Sequence, residues 1–146
     1  MRILLDTNVV VDVLQQREPW HKDGEKIFLA AAMKQLTACI TAKQVADIHY
    51  LTKRSFKGQA HTDDLAKQVV VKLLSFIELM DVCAADCQTA LSINNNDFED
   101  AMLMAGAIRE SVDYIVTRNI EHFKDASVPV LTPTDLVLLL EKSDNT

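Results

Sequence analysis

The segment RILLDTN, residues 2–8, decides the fold of this chain. Three apolar residues follow Arg2 and stop at Asp6, which is typical of a short buried strand that ends at a carboxylate. A carboxylate beside a core is unfavourable unless it is hydrogen-bonded, paired or bound to a metal. We therefore predict a first strand over Arg2–Leu5, with Asp6 either capping the next helix or belonging to a functional site.

Strand-like apolar runs and helical patterns alternate along the rest of the chain. Further strands are predicted at Thr37–Thr41, Ile77–Val82, Asp113–Thr117 and Val128–Leu131. Helices are predicted at Val9–Gln15, Trp20–Lys34, Lys43–Ser55, Asp63–Phe76 with Thr62 as its cap, Ala84–Ser92, Asp97–Glu110, and after Thr132-Pro133-Thr134. This alternation indicates an α/β protein, a three-layer α/β/α sandwich with a central parallel sheet of four to five strands. One domain is expected over residues 1–141, followed by a polar C-terminal tail, 142–146.

The composition limits the class of protein. The chain has 146 residues, of which 49% are hydrophobic and 25% charged, and this fits one domain with a sizeable core. The net charge of −6 disfavours broad nonspecific binding of nucleic acid, but it does not exclude a local site in which bound cations reverse the field. No apolar run approaches the length of a membrane span and no signal peptide is evident, so a cytoplasmic location is expected.

Acidic or amide side chains stand near the ends of several predicted elements. Asp47 lies in the helix after the second strand, Asp97 and Asp100 lie in the first turn of a later helix, and Asn119 follows the fourth strand. Because ligands of open α/β sheets bind beyond the carboxyl ends of the strands, we expect these residues to converge with Asp6. Oxygen ligands are those that Mg²⁺ or Mn²⁺ prefers, and such ions promote hydrolysis of phosphodiesters.

Each of these residues also has a purely structural interpretation. Asp97 and Asp100 share one helix face, but acids in a first turn also stabilise the helix dipole. Capping explains Asp97 better than Asp100, which precedes a face of small residues that pack closely. Asp47 alone could be an ordinary solvated acid.

Residues beside Asn119 are candidates for contact with a substrate. Thr117 and Arg118 immediately precede it and are predicted to bind the substrate. Phosphate contacts are expected from Arg118, Lys43 or Lys53, although each of these could also be a plain surface cation. The sequence contains no P-loop, no G-x-G-x-x-G and no G-x-S-x-G, so nucleotide-binding and serine-hydrolase functions are unsupported.

Three segments resemble the PIN-domain family, the fold of VapC-like toxin ribonucleases. MRILLDTN (1–8) resembles the opening strand and first acid of the family, DFEDAMLMAGA (97–107) its acidic helix, and DYIVTRNIEHF (113–123) its fourth strand and the loop after it. The resemblance implies a Mg²⁺- or Mn²⁺-dependent endoribonuclease that acts on RNA. It also implies an antitoxin protein as partner and a homodimer.

The resemblance assigns roles to particular residues. It implies that Asp6, Asp47, Asp100 and Asn119 are catalytic and that Asp6, Asp100, Asp47 and Asp97 bind the metal. Asp47 stands where the family commonly has the longer Glu, and Asn119 stands where it commonly has Asp. These two departures predict a site of three carboxylates that holds one ion tightly and binds a second with the help of RNA.

Two other functions are consistent with parts of the sequence. A non-catalytic PIN scaffold that binds RNA or a protein partner would account for Asp47 and Asn119. A phosphatase of the haloacid-dehalogenase type also begins with a strand ending in Asp. That chemistry needs a second Asp two residues later, where this chain has Asn8.

Overall fold

The computed structural model describes residues 1–146, the whole of the chain. The strands are β1 (Arg2–Leu5), β2 (Thr37–Thr41), β3 (Glu78–Met80), β4 (Tyr114–Val116) and β5 (Val130–Leu131). The helices are α1 (Thr7–Leu14), α2 (His21–Ala32), α3 (Ala42–Ser55), α4 (Thr62–Leu73), α5 (Ala84–Ser92), α6 (Phe98–Arg109) and α7 (Pro133–Asp144), with a 3₁₀ helix over Ile120–Phe123. None of these helices combines the length and apolar character that crossing a membrane requires.

The five strands form one parallel sheet in the order β3-β2-β1-β4-β5. The first strand is central, since Leu4 is in register with Cys39 on one side and with Ile115 on the other. Parallel strands place all their carboxyl ends at one edge of the sheet, and this edge carries the candidate site. The predicted α/β/α sandwich with a central parallel sheet is confirmed.

Side chains of the central strand alternate between two apolar layers, as strand geometry requires. Ile3 and Leu5 pack in a core that includes side chains of α1, α2, α3 and α7. Leu4 points the other way and packs with Leu103 and Met104 of α6. Because both faces are covered, β1 is a continuous apolar run rather than an alternating one.

The strands and the first helix have slightly different bounds from those predicted. The third, fourth and fifth strands are shorter than predicted, because regular pairing with the neighbouring strands covers only Glu78–Met80, Tyr114–Val116 and Val130–Leu131. Helix α1 begins at Thr7 rather than at Val9. The reason is that Asp6 is itself the N-cap, so the helix starts directly after it.

Two predictions about helix ends are corrected by the structure. Thr62 is not the cap of α4 but its first residue. It is preceded by His61, whose φ of 57° lies in the left-handed region and whose side chain makes no cap hydrogen bond. Helix α7 continues to Asp144, so most of the segment 142–146 is helical rather than a tail.

Candidate active site at the carboxyl ends of β1 and β4

The candidate site lies where the order of the strands reverses. From β1 the chain adds β2 and β3 on one side, and it later returns to add β4 and β5 on the other. Clefts that bind ligands form at such switch points in open α/β sheets. Asp6 directly follows β1, and its backbone N–H donates to the carbonyl of Val116, the last residue of β4, at 2.9 Å. Asp6 therefore stands at the mouth of this crevice.

The carboxylate of Asp6 is held by three donors. Its Oδ1 accepts from the backbone N–H of Thr7 at 2.7 Å. Its Oδ2 accepts from Thr117 Oγ1 at 2.8 Å and from Asn8 Nδ2 at 3.2 Å. Burial raises the pKa of Asp6 above its usual value, although the bonds from Thr117 and Thr7 oppose this change. The residue is thus both the cap of α1 and a fixed, half-buried acid at the site.

Asp97 and Asp100 are positioned by the start of helix α6. Asp97 is the N-cap, and its Oδ1 accepts from the backbone N–H of Asp100 at 3.2 Å. Asp97 itself is exposed, whereas the side chain of Asp100 is only 13% exposed. The cap therefore fixes the first turn from which Asp100 points inward.

Asp100 has an unsatisfied carboxylate oxygen. Its Oδ2 is buried and has no hydrogen-bond partner. His122 Nδ1 lies 3.6 Å away, which is too far for a hydrogen bond but close enough for attraction if the imidazole is charged. Burial, followed by the negative charges of Asp97 and Asp6, raises the pKa of Asp100 to about 6. Such a group is strongly stabilised by any cation placed between these acids.

Asp47 shares a cleft with Asp6 and Asp100 but stands among other charges. The cleft has a volume of about 580 Å³ and reaches from these acids along α3. Asp47 accepts a hydrogen bond from Lys43 Nζ at 2.7 Å, and the same ammonium donates to Glu99 at 2.8 Å. The Asp47 side chain is 43% exposed. It is accordingly an outer member of the acid group, held by a lysine bridge.

Thr117 and Asn119 follow β4 and differ in accessibility. Thr117 is fully buried, and its hydroxyl donates to Asp6 and accepts from the backbone N–H of Asn119 at 3.1 Å. Its contacts therefore orient Asp6 and the start of the next loop. Asn119 is exposed at this edge of the sheet, and its side-chain amide makes no hydrogen bond within the chain.

Arg118 is held on the opposite side of the loop by a buried acid. Its Nε and Nη2 donate to the two carboxylate oxygens of Asp12, at 2.9 and 3.2 Å. Asp12 is 2% exposed, so this bidentate pair provides the partners that a buried charge needs. The guanidinium also lies 4.0 Å from the ring centroid of Trp20. The structure thus joins Arg118 to α1 and to the start of α2.

Sequence reasoning missed Gln44, which joins β1 to α3. Its Oε1 accepts from the Thr41 N–H at 2.7 Å, and its Nε2 donates to the Leu5 carbonyl at 2.8 Å and to Thr7 Oγ1 at 3.2 Å. Thr41 and Gln44 also form a capping box at the start of α3. The T-x-x-Q spacing of residues 41–44 is a signal that could have identified this role.

His122 and Asp12 were also not recognised as parts of the site. His122 belongs to the 3₁₀ helix, which contacts α6 and so places the imidazole near Asp100. Asp12 faces Arg118 across the fold, at a separation of 106 residues. Neither pair has a local sequence signal, because both depend on how elements distant in the sequence pack together.

The donor set fits a hard divalent cation held by few protein ligands. No three Asp, Glu, His or Cys side chains lie close enough to enclose an ion by themselves. Asp6 and Asp100 nevertheless influence each other electrostatically, and Asp100 has a buried oxygen free to bind. Mg²⁺ commonly uses one or two carboxylates and keeps several waters, so two acids are sufficient.

Comparison with known proteins identifies the family. The family model described as PIN domain matches residues 2–121. No curated protein matches the sequence at a significant level.

Several solved structures share this fold at low sequence identity. VapBC2 from Rickettsia felis, bound to a DNA fragment from its promoter, is 20% identical, with 90% of this chain and 98% of that chain covered and a TM-score of 0.67. A toxin–antitoxin complex from Klebsiella pneumoniae is 18% identical, with 90% and 97% covered and a TM-score of 0.63. Mycobacterium tuberculosis VapC20, a toxin that cleaves the sarcin–ricin loop, is 15% identical, with 77% and 86% covered and a TM-score of 0.58.

Proposed function

This chain belongs to the PIN-domain family, and from that membership we infer that it is a Mg²⁺- or Mn²⁺-dependent endoribonuclease, a hydrolase of RNA phosphodiester bonds. The observation that carries the proposal is Asp100 Oδ2, a buried carboxylate oxygen without a partner on a residue whose pKa is raised partly by the charge of Asp6. A buried unsatisfied oxygen is unfavourable in a protein that has no use for it. At a strand switch point, its simplest use is to bind a cation.

Two acids are proposed as direct ligands and two as supporting ones. Asp6 and Asp100 are half-buried and held by the starts of α1 and α6, so they would bind the metal directly. Asp97 is exposed beside Asp100, and Asp47 is paired with Lys43, so both would act from the rim of the site. When bound, the ion polarises the phosphodiester and stabilises the departing oxygen.

The remaining polar residues have proposed roles that follow from their contacts. Thr117 holds Asp6 Oδ2 in place by its hydroxyl. Asn119 presents a free amide at the same edge and is proposed to orient a water molecule or a second ion. Lys43 reaches into the cleft and can contact a phosphate. Arg118 is held by Asp12, and so it would contact RNA only through the exposed part of its guanidinium.

The biological setting is proposed to be a toxin–antitoxin pair. Structural neighbours include a toxin–antitoxin complex and a toxin that cleaves an RNA loop, and this supports the same setting for our chain. The family resemblance also supports a homodimer. Light scattering of the purified protein, alone and with the product of an adjacent small gene, would measure both associations.

Cleavage and metal binding should be measured together on matched variants. Wild-type protein is expected to cut RNA in Mn²⁺ and to bind Mn²⁺ by calorimetry. The Asp6→Asn and Asp100→Asn variants should lose both properties. Asp144→Asn removes one exposed charge at the far end of α7 and serves as the control that keeps both.

Other outcomes would favour the alternative functions. Mn²⁺ binding that is unchanged in both site variants would contradict the assignment of ligands. Absence of metal binding in the wild type would favour a non-catalytic PIN scaffold. Hydrolysis of small phosphoesters with RNA left intact would favour a phosphatase.

A further inference from the structure

A second groove lies next to the cleft along α3. This groove is lined by polar and basic residues from the last turns of α3 to the first residue of α4, and Tyr50 lines both the groove and the cleft. We call Tyr50, Lys53, Arg54 and Lys57 the basic strip. None of these four residues is among the proposed metal ligands.

Helix geometry aligns the strip with the acid site. Asp47, Tyr50 and Arg54 are spaced by three and four residues, so they lie on one face of α3. The distance from Asp47 to Arg54 along the helix axis is about 10 Å at 1.5 Å per residue. A chain that leaves the acids along the cleft therefore meets Tyr50 first and the cations next.

The cations of the strip are available to an anion. Arg54 and Lys57 are exposed, and neither has a carboxylate within salt-bridge distance. Lys53 has only a long contact with Asp63, at 3.8 Å, and Asp63 is shared with Lys67 at 3.0 Å. Three cations within five residues form a local positive surface on a protein of net charge −6. Such a surface complements a phosphate backbone.

Tyr50 adds a stacking surface beside these charges. Its side chain is 59% exposed, and the Arg54 guanidinium lies 5.7 Å from the centroid of its ring. Aromatic rings and guanidinium planes are the groups on which unpaired bases stack. A base within a duplex cannot stack in this way, so the pair favours a single strand.

We propose that the basic strip binds single-stranded RNA where the strand leaves the catalytic cleft. Phosphates would contact Arg54 and Lys57, and one unpaired base would stack on Tyr50. The identity of the ligand as RNA rests on the proposed function, but its binding can be measured without cleavage.

The test measures binding of a fluorescent, unstructured RNA oligomer by anisotropy in EDTA over a range of salt concentrations. The variant Arg54→Gln/Lys57→Gln is expected to bind about tenfold more weakly. Loss of two phosphate contacts should also reduce the slope of log K against log salt by about 1.4. The matched control Lys22→Gln/Lys142→Gln removes two exposed cations from α2 and α7 and should bind as the wild type does.

A second variant separates stacking from charge. Tyr50→Ala is expected to weaken binding about tenfold while leaving the salt slope unchanged. The melting temperature of each variant shows that it is folded, and these exposed positions should melt as the wild type does.

The outcomes distinguish this proposal from the proposed function. Strip-dependent binding without any cleavage would support the strip and count against the nuclease. Normal RNA affinity in Arg54→Gln/Lys57→Gln would overturn the strip even if the wild type cuts RNA. Equal affinity for a duplex of the same length, or strip-dependent binding of polyglutamate with RNA binding unaffected, would also overturn it.

Discussion

One carboxylate oxygen of Asp100 is buried without a hydrogen-bond partner, which is unfavourable for stability, and the same oxygen is a candidate metal ligand. Burial and the negative charges of Asp97 and Asp6 raise the pKa of this carboxyl group to about 6. A group with a folded pKa above its usual 3.8 binds protons more tightly in the folded protein than in the unfolded chain. The stability that protonated Asp100 contributes to the folded state is therefore fully present below pH 4, and it is lost as the pH rises through 6 and the group ionises.

We expect Asp100→Asn to stabilise the metal-free protein at pH 7, because the neutral amide removes this repulsion. The gain in free energy of unfolding should be about 1–2 kcal/mol after allowance for solvent screening, and it should approach zero near pH 4. Urea denaturation in EDTA at pH 4 and pH 7 measures the difference. A gain of the same size at both pH values, or the same gain in Asp144→Asn, would show that ionisation of Asp100 is not the cause.

Thr117 provides a second test at the scale of one atom. Replacing Thr117 with Val keeps the volume but removes the donor to Asp6 Oδ2. Loss of a hydrogen bond that orients a ligand commonly lowers metal affinity by about 10- to 100-fold, and we expect such a loss for Mn²⁺. Thr117→Ser keeps the hydroxyl and should bind Mn²⁺ nearly as the wild type does. If Thr117→Val binds Mn²⁺ as tightly as the wild type does, the hydroxyl of Thr117 is not what orients Asp6 for the metal.

Among the elements, helix starts do most to position the site. Asp6 caps α1, Asp97 caps α6, and Gln44 completes the capping box of α3. Asp6 and Gln44 also line the cleft, and the cap made by Asp97 fixes the helix turn from which Asp100 enters it. For Asp6 and Asp97 the capping role is compatible with the proposed metal-binding role, because a cap fixes the orientation of its own carboxylate.

The packing of α1 against α2 sets the position of α1 and depends on Gly24. A Cβ at this residue would overlap Cγ2 of Val13 on α1. Ala normally stabilises a helix interior by about 1 kcal/mol relative to Gly. Here we expect Gly24→Ala to lower the free energy of unfolding by about 1–3 kcal/mol, since overpacking outweighs propensity.

Chemical denaturation of Gly24→Ala and of Gly24→Ala/Val13→Ala provides the measurement. The second substitution removes the overlapping atom and should recover part of the loss. A Gly24→Ala protein that is more stable than the wild type would show that α1 and α2 accommodate the added Cβ at little cost in free energy.

In the whole molecule, the site exists only when β1, α3, α6 and β4 are assembled. Asp6 and Thr117 are joined by a hydrogen bond across 111 residues. A metal that binds this assembled site has no equivalent in the unfolded chain, so its binding stabilises the entire fold.

We therefore expect Mn²⁺ to raise the melting temperature of the wild type. At a concentration 100 times the dissociation constant the gain is about 2.7 kcal/mol. For a chain of this length that corresponds to roughly 5–10 °C. Thermal unfolding with and without Mn²⁺ measures it, and Asp6→Asn and Asp100→Asn should show almost none of the shift. If Mn²⁺ raises the melting temperature of these two variants as much as that of the wild type, the ion binds at a different site.

Local sequence patterns were sufficient to predict the class of fold, and they indicated candidate acids whose role stays a prediction. The segment 2–8 showed a strand ending at an acid, and the alternation of apolar runs with helical periods led to a parallel sheet in three layers. These predictions succeeded because strand burial and helix periodicity are properties of neighbouring residues. Thr62 was misassigned for a related reason, since its sequence suits a cap but the chain turns one residue earlier, at His61.

Only the tertiary structure decided what each polar residue at the sheet edge contacts. It buried Thr117 against Asp6, joined Arg118 to Asp12, bridged Asp47 to Glu99 through Lys43, and left one oxygen of Asp100 without a partner. These contacts depend on β4 lying beside β1 and on α6 lying across the sheet from α1. The arrangement of these elements cannot be predicted from residues that are neighbours in the sequence. Burial and charge partners, which determine the chemistry of an acid, are properties of the assembled fold.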